Sequence, residues 1–381
     1  MNPIVIIGTG LAGYNLAKEI RKLDKEIPLH LITADGGESY SKPMLSNALA
    51  KGKTPAQLVL STAEQMAAQL AAVIHTRSKV ESINAQSKTV LTTSGEFSYR
   101  KLVLATGAEQ IKPPLQGNAV NGVYSVNDLD DYAHFRAALQ SAQHVGVIGP
   151  GLIGCEFAND LLAANKQVTV IGPPVTPLDR LLPPQVGELL KRALGNAGVH
   201  WRLGVTASAV DKANDRYQIR LSDGSQLEVD LVLSAVGLRP KLALAKSAGL
   251  TVNRGIVVDR LLQTSQPDIY ALGDCCEIDG LVLPFVLPLM NAARTLAKTL
   301  TGNPTQLVYP AMPVVVKTPA HPLVVSPPAQ GSEGEWDIEL RDTGARALYR
   351  GNNGSLLGFV LTGDKVEEKA ALSKELPPVL P

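Results

Sequence analysis

Two glycine fingerprints constrain the fold of this chain more than any other feature: Gly-Thr-Gly-Leu-Ala-Gly at residues 8–13 and Gly-Pro-Gly-Leu-Ile-Gly at 149–154. Each follows an apolar strand-like run and precedes a helix-like stretch, expected over residues 14–23 and 155–164. In such a unit the glycines permit a tight turn and a close approach of the backbone to a pyrophosphate, which the helix N-terminus attracts. A single match is weak, because glycines at this spacing also form ordinary turns. Two matches predict two dinucleotide-binding units.

Composition narrows the class of protein. The 381 residues exceed one hydrophobic core, and a hydrophobic fraction of 45% with 19% charged residues is typical of a soluble globular protein. A net charge of +1 indicates no general affinity for nucleic acid or membranes. Three cysteines are too few for a disulfide framework, and no run approaches the roughly 20 apolar residues of a membrane helix. The histidines show no metal-ligand spacing. We expect a cytoplasmic protein without a metal site.

The strand–turn–helix pattern occurs twice, which predicts an α/β fold with two Rossmann-like dinucleotide-binding domains. The last ~70 residues differ: a proline-rich stretch precedes alternating runs, a hairpin turn at residues 352–354 and a final helix over 366–376. This part predicts a small α+β C-terminal domain. The expected boundaries are 1–109 and 239–308 for the two segments of the first unit, 110–238 for the second unit and 309–381 for the C-terminal domain.

The two units differ where the ribose of a dinucleotide would bind. Asp35 lies 22 residues after Gly13, at the end of the second strand, where an acidic residue binds a ribose hydroxyl. A turn or helix-capping aspartate is the alternative interpretation. The matching position of the second unit is Gly172, followed by two prolines. Since no basic group is present there to bind a 2′-phosphate, the sequence favours NADH over NADPH.

Further motifs carry a specific resemblance. They are Tyr-Ser-Lys-Pro-Met-Leu-Ser at 40–46, Ala-Thr-Gly-Ala at 105–108, Gly-Cys-Glu at 154–156, Ala-Val-Gly-Leu-Arg-Pro at 235–240 and a Thr-Ser-to-Gly-Asp motif at 264–274. In this order, over residues 1–305, they resemble the two-dinucleotide flavoprotein reductases of the glutathione reductase superfamily. The motif at 40–46 and Val-Lys-Thr-Pro at 316–319 resemble most closely the branch of this superfamily that reduces rubredoxin.

The resemblance implies that FAD occupies the first unit and NAD(P)H the second. The FAD-binding residues it implies, with those of the first fingerprint, are Gly8, Thr9, Gly10, Leu11, Ala12, Gly13, Ala34, Asp35, Lys42, Val80, Thr106, Gly107, Glu156, Asp274, Val286 and Lys317. The NAD-binding residues are Gly149, Gly151, Leu152, Ile153, Gly154 and Gly237.

The resemblance implies no residue that forms a covalent intermediate. The candidates for residues that act beside the flavin, here called the flavin-side candidates, are Lys42, Glu156 and Lys317. Glu156 resembles a glutamate between flavin and nicotinamide, although a first-turn glutamate also simply favours a helix. Lys317 resembles a lysine that reaches the flavin, with a solvated surface lysine as the alternative. Asp274 resembles the aspartate that binds the ribityl chain. Asn47 stands where the family loop has a second lysine.

The implied activity is electron transfer from NADH through FAD to rubredoxin. Rubredoxin is a small acidic iron protein that is expected to dock near the flavin. It would pass the electrons on, for example to an alkane-oxidising hydroxylase. Disulfide reductases of this superfamily carry a cysteine pair near Ser46 and Asn47, and this chain carries none there. An NADH–ferredoxin reductase of an oxygenase system is the first alternative, and a flavoprotein sensor without turnover is the second. The expected assembly is a monomer or a homodimer. We also expect Lys42, Lys317 and Arg294 to form a basic rim at the docking site.

Overall fold

A computed structural model describes residues 2–381, and its first unit is built on a parallel sheet of five strands. Their order across the sheet is Ile269–Ala271, Lys101–Leu104, Ile4–Ile7, Leu29–Ile32 and Val73–His75. The central strand is buried along its whole length, as expected for a parallel sheet covered on both faces. The edge strand Ile269–Ala271 pairs with Lys101–Leu104, so the first unit is completed by the segment that follows the second unit.

Helices and small sheets surround this first sheet. The helices are Leu11–Leu23, Pro55–Leu58, Ala63–Leu70, Ala243–Ser247 and Val286–Leu300, with 3-10 turns at Lys42–Asn47 and Gly273–Cys275. The additional strands are the meander Val80–Asn84, Thr89–Thr92 and Gly95–Ser98, the antiparallel pair Ser39–Tyr40 and Val59–Ser61, and the parallel pair Ile256–Val258 and Cys276–Ile278. Helices Leu11–Leu23 and Val286–Leu300 pack against each other on one face of the sheet.

The second unit repeats this plan. Its parallel sheet has the order Val199–Leu203, Gln167–Gly172, His144–Ile148 and Leu231–Ser234. Its other elements are the meander Ala207–Ala213, Arg216–Leu221 and Gln226–Val229, the helices Leu129–Leu139, Leu152–Ala163 and Pro184–Asn196, and a 3-10 turn at Val120–Gly122. Strands Ala108–Gln110 and Leu238–Pro240 pair antiparallel where the chain passes between the two units.

The fingerprint helices begin three residues earlier than expected, at Leu11 and Leu152. The expected starts at residues 14 and 155 were wrong because the last glycine of each fingerprint lies within the first helical turn. The α/β plan with two Rossmann-like units is confirmed, and no helix in residues 2–381 is long and apolar enough to cross a membrane.

The C-terminal part is an antiparallel sheet of five strands in the order Val314–Val316, Leu323–Ser326, Leu356–Thr362, Gly344–Gly351 and Gly334–Arg341. The predicted turn at residues 352–354 joins two of them. The predicted helix over 366–376 is wrong: a 3-10 turn, Gly363–Glu368, leads into a helix of four residues, Lys369–Leu372. Only Leu372 of this segment is fully buried before two prolines end it, so little apolar burial favours a longer helix. One face of the sheet shares a core with helix Leu152–Ala163.

Candidate functional site

The first fingerprint presents an uncapped helix N-terminus in open space. Gly8 has a φ of +113°, and a Cβ there would lie 2.3 Å from the carbonyl oxygen of Ala105. A Cβ at Gly13 would lie 1.9 Å from the carbonyl oxygen of Gly8, so strand and helix pack backbone to backbone. Gly10 caps helix Leu11–Leu23 without a side-chain hydrogen bond, and a Cβ there would meet nothing within 4 Å. The first amide groups of the helix are therefore free to bind an anion.

Asp35 lies at the same edge of the sheet, just beyond strand Leu29–Ile32. Its Oδ1 accepts hydrogen bonds from Thr33 Oγ1 at 2.6 Å and from the amide of Gly37 at 3.0 Å, so the side chain does shape a turn. Within the described residues Oδ2 accepts none, and the residue is exposed. The turn interpretation and a ribose contact are thus compatible, because each uses a different oxygen. Ala34 is exposed beside it, and Val80 is half-buried at the start of its strand.

The second fingerprint has the same geometry. Gly149 has a φ of +114°, and its Cβ would lie 2.5 Å from the carbonyl oxygen of Ala235. A Cβ at Gly154 would lie 1.8 Å from the carbonyl oxygen of Gly149, whereas Gly151 faces open space and caps its helix without a side-chain bond. Ile153 in the first turn is 39% exposed. Gly237 follows strand Leu231–Ser234 with a φ of +116°.

Pro150 explains why the second unit has glycine, and no acidic residue, at the position where a ribose hydroxyl would bind. A Cβ at Gly172 would lie 2.2 Å from Cδ and 2.6 Å from Cγ of Pro150, and both residues are buried. The proline ring of the fingerprint thus fills the space that a side chain at position 172 would enter. Sequence reasoning found the absence of a carboxylate but not this cause, since the two residues meet only when strands His144–Ile148 and Gln167–Gly172 pair.

Asp274 and Lys42 face each other near the first fingerprint. A Cβ at Gly273 would lie 2.9 Å from Cβ of Ala12, so the turn that carries Asp274 packs against the first fingerprint helix. Burial raises the pKa of Asp274, and the charge of Lys42 opposes that shift. Burial likewise lowers the pKa of Lys42, with Asp274 opposing. Neither side chain forms a hydrogen bond to another residue in the described part of the chain, so both are available to a ligand.

Two further elements approach this region. Helix Val286–Leu300 begins with Val286, which is 41% exposed, and its N-terminus has no side-chain cap. Thr106 and Gly107 follow strand Lys101–Leu104 at the edge that carries the first fingerprint. The carbonyl of Gly107 accepts a hydrogen bond from the amide of Lys241 at 3.0 Å. Lys241 also lowers the pKa of Lys42 by like charge, which places it in the same crevice.

Glu156 joins all three parts of the molecule. The residue is 1% exposed, and its Oε2 accepts hydrogen bonds from Ser46 Oγ and from Lys317 Nζ, both at 2.6 Å. Oε1 accepts the backbone amide of Lys317 at 2.9 Å, and Lys317 Nζ also donates to Ser46 Oγ at 2.7 Å and to the carbonyl of Pro43. Lys317 is therefore not a solvated surface lysine.

The three flavin-side candidates are thus brought into one region but are not equivalent. Glu156 and Lys317 are bonded to each other, whereas Lys42 faces Asp274. Of the three residues expected to form a basic rim, only Arg294 is exposed; Lys42 and Lys317 are half-buried. Sequence reasoning also missed Asn159 and Asp160, whose one signal was their polarity in the mainly apolar helix Leu152–Ala163.

Comparison with known proteins identifies the family. Residues 2–299 match the pyridine nucleotide-disulphide oxidoreductase family. The chain belongs to this family. Residues 306–376 match the rubredoxin binding C-terminal domain, which corresponds to the antiparallel sheet that carries Lys317 on the loop after its first strand.

Curated relatives of this oxidoreductase cover its full length. The rubredoxin-NAD(+) reductase of Alcanivorax borkumensis is 53% identical, with 100% of each chain covered. The rubredoxin-NAD(+) reductase of Acinetobacter baylyi is 44% identical, with 100% of this chain and 99% of the relative covered. Among solved structures, the ferredoxin reductase for the CYP199A2 system of Rhodopseudomonas palustris is 28% identical, with a TM-score of 0.89 over 99% of this chain and 96% of that chain.

The cysteines of this oxidoreductase do not form a redox pair. Cys155, Cys275 and Cys276 are free and buried. Burial raises the pKa of Cys155 to about 12, and it also raises the pKa of Cys275 and Cys276. Since the thiolate is the reactive form of cysteine, burial lowers the reactivity of all three thiols. The position near Ser46 and Asn47 carries no thiol, as the sequence indicated.

The residues of the first unit fit the FAD that this family uses. The uncapped amides after Gly10 match a pyrophosphate, and the free oxygen of Asp35 matches a ribose hydroxyl. The unbonded carboxylate of Asp274 matches the hydroxyls of a ribityl chain. Lys42 supplies a positive charge beside that carboxylate. These groups lie unsatisfied together at one edge of the sheet, which is the arrangement expected around a bound dinucleotide.

Proposed function

We propose that this protein is an FAD-dependent reductase that passes electrons from NADH to rubredoxin. The observation that carries the proposal is the bonding of Lys317, from the rubredoxin-binding domain, to Glu156 on the helix of the second fingerprint and to Ser46 in the first unit. The names of the two curated relatives and the match of the C-terminal domain support the same acceptor. An electron acceptor held by that domain would stand against the junction of both dinucleotide units.

The chain's own residues bind and orient, because the cofactor carries out the chemistry. When bound, FAD accepts two electrons as hydride from NADH and releases them one at a time. The first fingerprint, with Gly8, Gly10 and Gly13, binds its pyrophosphate, and Asp35 and Asp274 bind its hydroxyls. The second fingerprint and Gly237 bind NADH. Lys42 keeps a positive charge beside the site, and the Glu156–Lys317 pair fixes the junction.

Absorbance spectroscopy tests the cofactor assignment. The purified protein, reconstituted with FAD, should show flavin bands that bleach on addition of NADH at a lower concentration than of NADPH. A protein without flavin bands after reconstitution would contradict the whole proposal.

A ferredoxin is the second candidate acceptor, and the likeness to the ferredoxin reductase of Rhodopseudomonas palustris favours it. Rapid mixing distinguishes the two: the NADH-reduced enzyme should transfer electrons faster to rubredoxin than to a [2Fe–2S] ferredoxin at equal concentration. The opposite order would exclude rubredoxin as the physiological partner. A rubredoxin-dependent hydroxylase, such as an alkane-oxidising system, is the consumer that we propose.

Two further assignments belong to this proposal. We assign residues 1–109 and 239–308 to the FAD-binding domain, 110–238 to the NADH-binding domain and 309–381 to the C-terminal domain. We place the reaction in the cytoplasm, where NADH is supplied and where the three free cysteines remain reduced. Limited proteolysis tests the boundaries, because cleavage should begin near residues 110, 239 and 309. Cell fractionation tests the location.

A further inference from the structure

The face of helix Leu152–Ala163 that carries Glu156 also carries two residues to which the proposed function assigns no role. Asn159 and Asp160 lie three and four residues further along the helix, so all three side chains share one face. Asn159 is 8% exposed and Asp160 is 1% exposed. Each binds a segment from outside the second unit. The helix that opens with the NADH fingerprint is therefore also the element on which other parts of the molecule are anchored.

Asp160 binds the backbone directly after the 3-10 turn Lys42–Asn47. Its Oδ2 accepts the amide of Leu49 at 3.0 Å, and its Oδ1 accepts the amide of Ala50 at 2.8 Å. Burial raises the pKa of Asp160, and these two hydrogen bonds oppose that shift more strongly than the charge of Lys317 does. A buried carboxylate without these donors would be costly, so the side chain and the two amides fix each other's positions.

The other end of the same segment is anchored through Lys317. Its ammonium donates to the carbonyl of Pro43 and to Ser46 Oγ while it pairs with Glu156. Residues 42–50, here called the flavin-side segment, are thus attached at both ends to helix Leu152–Ala163, here called the coenzyme helix. Lys42, at its first position, faces Asp274 in the proposed FAD site. Asn159 anchors the C-terminal domain in the same way, since its Oδ1 accepts the amide of Ala320 at 3.1 Å.

We propose that Asp160 is a positioning residue that sets where the flavin-side segment stands relative to the coenzyme helix, and that it thereby tunes FAD affinity and the rate of flavin reduction by NADH. The inference rests on the proposed function, because it assigns FAD to the first unit and NADH to the second. Asp160 acts through the amides of Leu49 and Ala50, and those amides hold the segment that begins with Lys42.

The substitution Asp160→Asn tests the proposal, with Asp230→Asn as the matched control. Asparagine keeps the size of the side chain but replaces one acceptor oxygen by a donor, so one amide loses its partner. Asp230 also accepts two consecutive amides, those of Gln143 and His144, both at 2.8 Å, although it pairs with Arg216 as well and lies on the strand side of the second unit. Because both amides bind one oxygen of Asp230, the carbonyl of asparagine can keep them, and Asp230→Asn loses its ion pair with Arg216 instead. This variant therefore controls for the removal of a carboxylate charge away from the flavin-side segment.

Fluorescence titration of the refolded apoprotein with FAD is the primary measurement. The apparent dissociation constant of FAD should rise about five- to tenfold in Asp160→Asn and stay within about twofold of wild type in Asp230→Asn. Urea unfolding of both variants measures how much stability each substitution costs. The rate constant for reduction by saturating NADH should fall in the first variant only. Equal FAD affinity in wild type and Asp160→Asn, or equal weakening in both variants, would overturn the inference.

Hydrogen exchange on the wild-type apoprotein keeps the test independent of how the variants fold. The amides of Leu49 and Ala50 should exchange at least tenfold more slowly than the neighbouring amide of Lys51, which has no partner among the described residues. Exchange of all three amides at one rate would also overturn the inference. If the wild-type protein binds no FAD at all, the proposed function fails first; if it binds FAD and Asp160→Asn binds it equally well, the inference alone fails.

Discussion

The ammonium of Lys317 lies 2.6 Å from Oε2 of Glu156, although 161 residues separate the two in the chain. Glu156 is 1% exposed, and a buried carboxylate needs hydrogen-bond donors. Lys317 and Ser46 supply them. This contact makes the C-terminal sheet a structural part of the junction between the two dinucleotide units.

Removing that cation should destabilise the fold. Lys317→Met leaves Glu156 buried without its counter-ion, and we expect the free energy of unfolding to fall by about 3–5 kcal/mol. Glu156→Gln combined with Lys317→Met should recover part of the loss, because no buried charge remains. Lys191→Met, which removes an exposed pair with Glu188, is the control and should cost less than about 0.5 kcal/mol. Urea unfolding of the four proteins measures this; equal effects of both lysine substitutions would contradict the pair's importance.

Alanine substitutions at Gly10 and Gly151, the two glycines that face open space, should impair the two dinucleotide sites separately. Gly10 and Gly151 have φ values of −65° and −77° and free space for a methyl group, so both variants should fold. The added methyl group lies where a pyrophosphate approaches. We expect Gly10→Ala to weaken FAD binding about tenfold, or about 1.4 kcal/mol, and Gly151→Ala to raise the KM for NADH by a similar factor.

Each of these variants is the control for the other. Gly10→Ala should leave the KM for NADH unchanged once FAD is saturating, and Gly151→Ala should retain full FAD content by absorbance. Gly154→Ala, whose methyl group would overlap the carbonyl of Gly149, should fail to fold instead. A defect shared by both sites in either open-glycine variant would argue against two independent dinucleotide sites.

Position 172 should accept a carboxylate only when Pro150 is replaced. Gly172→Glu alone places a Cβ into the proline ring, and overpacking of this kind costs about 1–3 kcal/mol. Pro150→Ala with Gly172→Glu should regain most of that stability. The double variant should also discriminate more strongly against NADPH, because a carboxylate repels the 2′-phosphate. Thermal unfolding and the ratio of kcat/KM for the two coenzymes measure both effects; a double variant as unstable as the single one would exclude the steric explanation.

The pair His30 and His75 should make stability depend on pH. Their Nδ1 and Nε2 atoms are 3.2 Å apart on neighbouring strands, and burial lowers the pKa of both rings, with the charge of His30 a further cause for His75. The unfolded chain therefore takes up protons first as the pH falls below about 6.5, and folding stability present above that pH is lost as it falls further. Urea unfolding between pH 7.5 and 5.5 should show a smaller loss for His75→Gln than for wild type. An equal loss in both proteins would remove His75 as a cause.

Local sequence patterns were sufficient to predict those structural elements whose determining residues are adjacent in the chain. The two fingerprints fixed the strand–turn–helix units, because only glycine tolerates the φ values at Gly8 and Gly149 and the backbone contacts at Gly13 and Gly154. The hairpin turn at residues 352–354 was predicted for the same reason. The final helix was predicted wrongly, since its extent depends on how much apolar surface the C-terminal sheet can bury rather than on local propensity.

The amino-acid sequence by itself determined that this chain folds into two dinucleotide-binding units with a small third part, and the family motifs indicated FAD, NADH and rubredoxin. The tertiary structure alone decided which polar groups are bonded to each other: Lys317 to Glu156, Asp160 to the amides of Leu49 and Ala50, and the ring of Pro150 against Gly172. Such pairs have no periodicity or spacing in the chain. The polar pairs arise because a buried charged group is costly without a partner, and the packing of whole units determines which partners and which close contacts are within reach.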